Sequence, residues 1–165
     1  MARKEKVQKT NAMRELERAG VSFEVLTYEV DENDLSGIHV SEQLGEDPGQ
    51  GFKTLVTQAP DGSHVVCCIP VAEELDLKAA ARAAGCKSLA MMHVRDLLPT
   101  TGYVRGGCSP VGMKKRFPTL IDGRCMRYEQ IFISGGKRGI QLKLAPDDLI
   151  AHTGATVASI CAERA

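Results

Sequence analysis

Apolar residues recur at helical spacing through residues 9–19, where Ala12, Met13, Leu16 and Ala19 share a face and Gly20 can stop the turn. The spacing predicts a helix there. The next run, VSFEVLTYEV at 21–30, alternates instead. Val21, Phe23 and Val25 fall on one side and Leu26, Tyr28 and Val30 on the other, so a strand with two apolar faces is predicted. Residues 31–51 are polar and broken by Gly and Pro, which predicts a loop with one short helix around 40–44. GFKTLVTQ (51–58) and HVVCCIP (64–70) flank the turn signal Ala-Pro-Asp-Gly-Ser, the pattern of a hairpin.

LDLKAAARAAG (75–85) predicts a helix, N-capped by Asp76 and ended by Gly85. CKSLAMM (86–92) reads as a short strand, and HVRDLLP (93–99) as a helical turn or two that stops before Pro99. After a Gly-rich loop come three strands: PTLID (118–122), EQIFIS (129–134) and GIQLKLA (139–145). Pro146 opens a last helix with Asp147 and Asp148 near its positive end, and TVASI (156–160) is placed to close the sheet. Hairpins mix with helices and no regular βαβ alternation appears. The order predicts a mixed sheet or barrel with helices around it, not a doubly wound nucleotide fold.

Composition narrows the picture. At 165 residues the chain fits a single domain, 1–165. Its 21 basic and 21 acidic residues balance, so no global field marks a nucleic-acid or membrane protein, and no DNA partner is expected, although a local basic face can hide inside the average. No apolar run approaches the roughly 20 residues of a membrane span. The opening MARKEKVQKTNAMRELERAG is charged and lacks the apolar centre of a signal peptide. Six cysteines could form a disulfide framework, but Cys67 and Cys68 are adjacent and the others are scattered. Free thiols in a reducing cytoplasm are expected.

Several chemical motifs fail. SGGKRG lacks both the early glycine of a phosphate loop, replaced by Ile131, and the hydroxyl after Lys137, replaced by Arg138. GGCSPVG lacks the closing glycine of a nucleophile elbow, which is Val111 here, and Pro110 blocks the following helix. The histidines show no HExxH spacing and the cysteines no CxxC, so neither a metal nor a cofactor is expected. Gly106-Gly107 and Gly135-Gly136 remain, as turns able to approach a ligand and offer backbone N–H groups to an oxyanion. Arg105, Lys114, Lys115, Arg116, Lys137 and Arg138 surround them in sequence, although a solvated basic loop would carry the same residues.

FKTLV (52–56), PVAEELDLKAAARAAG (70–85), TGYVRGGCSPVGMKKRFPTLID (101–122) and IFISGGKRGIQL (131–142) together resemble the YbaK/EbsC family of aminoacyl-tRNA editing domains. The resemblance implies a mixed α/β fold with a curled, barrel-like mixed β-sheet and surrounding helices, similar to the editing domain of bacterial prolyl-tRNA synthetases. It implies a cytoplasmic deacylase that clears mischarged tRNA, above all Cys-tRNA(Pro), without a catalytic triad. Such a second site is needed because a pocket rejects a small apolar competitor by only about 1–3 kcal/mol. In the cysteine-specific branch the substrate's own thiol attacks its carbonyl to release a thiolactone. In the alanine-specific branch water attacks.

Carried over residue by residue, the resemblance makes Lys53 the key lysine at the phosphate or ribose of the acceptor end. It makes Gly107, or its neighbour Gly106, the glycine whose backbone meets the ester, and Ser134 the serine beside the aminoacyl group. Tyr28 and Lys137 are placed around the substrate, and Lys114, Lys115, Arg116 and Arg138 against tRNA phosphates. Prolyl-tRNA synthetase is the implied protein partner. Many family members carry an aspartate where this chain has Gln141. Two other readings stay open: a hydrolase using Cys108 or Ser109, and a non-catalytic aminoacyl- or nucleotide-binding module.

Overall fold

The computed structural model describes residues 7–163, so the ends of the expected 1–165 span lie outside it. The elements, in order, are α1 (Asn11–Arg18), β1 (Glu24–Thr27), α2 (Gly37–Leu44), β2 (Phe52–Gln58), β3 (His64–Pro70) and α3 (Leu77–Ala84). There follow β4 (Ala90–Met91), α4 (Val94–Thr101), β5 (Thr119–Asp122), β6 (Ile131–Ser134), β7 (Ile140–Leu144), α5 (Pro146–Thr153) and β8 (Thr156–Ala158). The architecture is mixed α+β. One sheet has the order β1-β7-β6, and the other β4-β2-β3-β5-β8. Pairing is antiparallel except for β3–β5 and β5–β8, which are parallel. The sheets meet where Gly51 bridges Phe132 and the Phe132 N–H donates to Gln50 O at 3.1 Å.

The hairpin register pairs Lys53 with Ile69, Leu55 with Cys67 and Thr57 with Val65. Directly opposed residues share a face. HVVCCIP is continuously apolar because both of its faces are covered. Val66 and Cys68 join a first core with Leu16, Phe52, Val56, Ile131, Ile133, Leu142, Leu144 and Leu149. Val65, Cys67 and Ile69 join a second core with Ala80 and Ala81 of α3, Leu120 and Ile160. Fully burying an aliphatic side chain is worth about 1.5–3 kcal/mol.

The local signals act as their chemistry requires. Asp76 Oδ1 accepts from Ala79 N–H at 3.0 Å and Gly85 closes α3 with φ 72°. Asp61 Oδ1 accepts from Ser63 N–H at 2.9 Å inside the β2–β3 turn.

Some expectations are corrected. The strand expected over 21–30 pairs only through Glu24–Thr27, at the sheet edge, where Val25 remains exposed. The short helix after it starts earlier, at Gly37, because Ser36 Oγ accepts from His39 N–H at 3.2 Å as an N-cap. Helix α4 does not stop before Pro99 but runs to Thr101. Proline removes one backbone donor, and the last turn is held by Thr101 Oγ1 donating to Leu97 O at 2.7 Å. A 3₁₀ turn over Gly123–Arg127, absent from the expected elements, links β5 to β6. All six cysteines are unpaired, and no described helix is long and apolar enough to cross a membrane.

Candidate active site

A cleft of about 760 Å³ opens where the two sheets meet. It takes residues from β2 and β7, the ends of β1 and β6, the start of α2, the β4–α4 junction and the Gly106 loop. Tyr28, Lys53, Gly106, Ser134 and Gln141 all line it. These five are far apart in sequence, and the meeting of the sheets brings them together.

Lys53 stands at the start of β2, on the face that carries Ile69 of β3. Burial pushes its ammonium below the ordinary lysine value, while Glu74, Cys161 and Glu73 pull it partly back. The cation is half-buried, lies in the field of Glu73 and Glu74, and lines the cleft.

Ser134 ends β6, directly opposite Gln141 of β7. Its Oγ accepts from Gly136 N–H at 3.3 Å, which leaves the hydroxyl proton to donate elsewhere. Tyr28 is fixed by its N–H donating to Gly139 O at 2.9 Å.

The glycine loop divides its tasks. Gly106 has φ 86°, a conformation that favours glycine, and faces the cleft. Gly107 lies buried behind it, against the peptide joining Lys137 to Arg138. The Gly107 N–H donates to Val104 O at 2.9 Å, whereas the N–H groups of Gly106 and Cys108 have no protein acceptor among the described residues. The two glycine loops are tied together by Arg138 Nε donating to Arg105 O at 2.8 Å.

The basic residues separate. Arg105 lines the cleft and Lys137 is exposed beside it in the second glycine loop. Lys114, Lys115 and Arg116 are exposed but line no part of the cleft. Lys114 Nζ donates to Pro99 O at 3.2 Å and Arg116 to His152 O at 2.6 Å, so two of the three cations bind their own backbone.

The two candidate nucleophiles are also placed. Ser109 is fully buried, with Oγ accepting from Val111 N–H at 3.3 Å, and does not line the cleft. Cys108 does line it, but burial pushes its thiol up to about 12, against a small opposing effect of Thr101. A thiol held protonated is a poor nucleophile.

Sequence reasoning did not single out the segment 33–37, His93, or Met91 and Met92, all of which line the cleft. Ser36, a helix cap ahead of Gly37, was the one readable signal among them.

Fold and cleft define a class: an α+β protein whose cleft is lined by backbone turns, a half-buried cation, hydroxyls and a cysteine whose thiol burial pushes up to about 12. The chain belongs to the aminoacyl-tRNA editing domain family, whose model matches residues 37–151. It is 46% identical over 160 residues to a candidate Cys-tRNA(Pro)/Cys-tRNA(Cys) deacylase, EbsC, of Enterococcus faecalis, covering 97% of this chain and 98% of that protein. A crystal structure of a candidate trans-editing enzyme for prolyl-tRNA synthetase superposes with a TM-score of 0.81 at 25% identity, covering 93% of this chain and 96% of that one. A hypothetical protein of known structure gives a TM-score of 0.85 at 20% identity, over 93% of this chain and 100% of its own, a likeness of fold.

Proposed function

We propose that this protein is a trans-acting aminoacyl-tRNA deacylase that clears mischarged tRNA, with Cys-tRNA(Pro) as its main substrate. The single observation that carries this reading is the convergence of Lys53, the Gly106 turn and Ser134 on one cleft. Burial pushes the thiol of Cys108, the cysteine lining the cleft, up to about 12, which favours an attacking group supplied by the substrate or by water. An aminoacyl ester is activated enough for this. Catalysis then consists of holding the acceptor end, stabilising the oxyanion and positioning the attacking group.

Lys53 holds the terminal phosphate or ribose. The N–H groups of Gly106 and Cys108, the free donors of the turn, receive the oxyanion, and Gly107 supports that turn from behind. Ser134 donates its hydroxyl proton to the aminoacyl part, and Tyr28 closes the wall. With cysteine as the aminoacyl group, its sulfur attacks its own carbonyl. The ester C–O bond breaks, the 3′ oxygen takes the proton, and a thiolactone leaves. With alanine, water attacks and the free amino acid leaves.

Arg105 and Lys137, at or beside the rim, are the first phosphate contacts. Arg138 acts mainly as the tie between the loops, and the triplet 114–116 lies further along the tRNA path. On this reading the protein works as a single cytoplasmic domain with a barrel-like sheet, a reading supported by the Gly51–Phe132 bridge that joins the two sheets. Prolyl-tRNA synthetase supplies the selectivity for tRNA(Pro).

The test is a panel of tRNA(Pro) charged with cysteine, alanine or serine. Cysteine is expected to be released fastest. Release of none of the three above the buffer rate overturns the proposal.

A further inference from the structure

Behind Ser134 lies a group of polar atoms that the scheme above does not use. Gln141 is 7% exposed and lines the cleft on the sheet face that carries Ser134. Its Nε2 donates to Glu46 Oε1 at 3.0 Å. Its Oε1 is buried with no donor, and so are Glu46 Oε2 and Ser41 Oγ nearby. Glu46 is joined to Ser41 through the Glu46 N–H, which donates to Ser41 O at 2.8 Å. Each buried acceptor left without a donor carries a desolvation penalty. Of the three residues, Gln141 alone lines the cleft, so its Oε1 is the acceptor placed to meet a donor from a ligand, and a cationic donor suits an amide backed by a carboxylate.

The orientation of Gln141 is determined. A carboxylate accepts hydrogen bonds, so Glu46 selects the amide NH₂ and turns the amide oxygen away from itself. Burial raises the pKa of Glu46 against the opposing pull of Gln141 and of Lys143, and a nearby cation would favour its charged form. Beside Ser134, the cationic group of an aminoacyl ester is the α-ammonium.

We propose that Gln141 reads the α-ammonium group of the aminoacyl ester through Oε1, with Glu46 as the positioning residue that fixes the amide. The substrates so selected are esters with a free α-amino group. N-blocked and des-amino acyl groups are disfavoured. This inference rests on the aminoacyl-ester reading of the cleft and adds a specificity-determining residue to it.

The test uses two non-hydrolysable ligands: 3′-cysteinylamino-3′-deoxyadenosine and its des-amino counterpart, the 3-mercaptopropionyl amide. Affinities are measured by titration calorimetry on the full chain. The wild type is expected to bind the free-amino ligand about ten- to a hundredfold more tightly, the range for a hydrogen bond to a charged group. In Gln141→Met, which keeps shape but removes the acceptor, the preference is expected to fall to within about threefold. The double variant Gln141→Met with Glu46→Leu leaves no buried carboxylate unpaired and guards against misfolding of the single one. Equal affinity of the wild type for both ligands, an undiminished preference in the folded variants, or no binding of either ligand overturns the inference. Binding with the stated preference but no turnover of Cys-tRNA(Pro) supports it and overturns the deacylase reading instead.

Discussion

Gly107 packs so closely against the peptide joining Lys137 to Arg138 that a Cβ on it would stand 3.0 Å from the Arg138 nitrogen and 3.1 Å from the Lys137 carbonyl carbon. The obstacle is backbone, which cannot rotate aside. Gly107→Ala is therefore expected to push the two glycine loops apart and cost about 1–3 kcal/mol, the range for overpacking. The Gly106 turn moves with them, so deacylation should fall together with the melting temperature. Thermal unfolding and single-turnover release of cysteine check this. Wild-type values for both would mean that the contact is not rigid.

Cys108→Ala is expected to leave turnover within about twofold, because a thiol held near 12 supplies almost no thiolate at pH 7. Iodoacetamide at pH 8 should label this site slowly in the folded protein and quickly after unfolding. A folded variant with no activity would restore the thiol-hydrolase reading.

The sequence carried the local elements well, because caps and turns are local chemistry. Asp76, Gly85, Pro146 and the Asp61-Gly62 turn act within a few residues of themselves. What it did not carry is long-range. HVVCCIP shows no alternation, so nothing in it announces that Val66 faces one core and Val65 another, or that β5 pairs with it in parallel. Lys53, Ser134 and Gly106 were legible through motifs and share the cleft, while Lys114, Lys115 and Arg116 stand outside it despite adjacency in sequence to the glycine loop. Glu46 was missed because its meaning depends on Gln141, 95 residues away.

Phosphate contacts release counterions, so each lost contact lowers the salt slope of tRNA binding by about 1. Arg105→Ala is expected to weaken tRNA binding and reduce that slope by about one. Lys115→Ala, away from the cleft, is expected to change the slope less. Filter binding across a salt series compares the two. A larger loss for Lys115 would place the tRNA on the opposite side of the loop.

Asp122 joins β5 to the end of the chain. Its Oδ1 accepts from Arg124 N–H and its Oδ2 from Ile160 N–H, each at 3.0 Å. Burial pushes its carboxyl up, but those two N–H groups, the Cys161 thiol and Arg124 outweigh it and hold the group below the usual carboxylate value. The folded state then binds fewer protons than the unfolded chain between the two pKa values. The stabilisation is present above the unfolded value near 4 and is lost as pH falls through the folded one. Asp122→Asn is expected to cost about 1–3 kcal/mol at pH 7 and less at pH 3. Urea unfolding at both pH values measures the gap. A gap that widens in acid would reverse the sign argued for this group.

Lys53 separates activity from stability. Burial lowers its pKa against the pull of Glu74, Cys161 and Glu73, so the fold is working to keep a charge it would hold more easily unfolded. Between the lowered value and the ordinary one, the unfolded chain binds more protons and stability rises with pH. Below that window the charged ammonium is a cost to the fold. Lys53→Met, which keeps the aliphatic stem, is therefore expected to melt at or above the wild-type temperature at pH 7. Release of cysteine from Cys-tRNA(Pro) should fall about a hundredfold or more, as when a charge-assisted contact to the substrate is lost. For the same reason, wild-type activity should decline with rising pH sooner than an ordinary lysine would allow. A stable Lys53→Met variant with full activity removes Lys53 from the site; an unstable one makes it structural. Only a stable and inactive variant fits a cation kept in the cleft wall for the acceptor end.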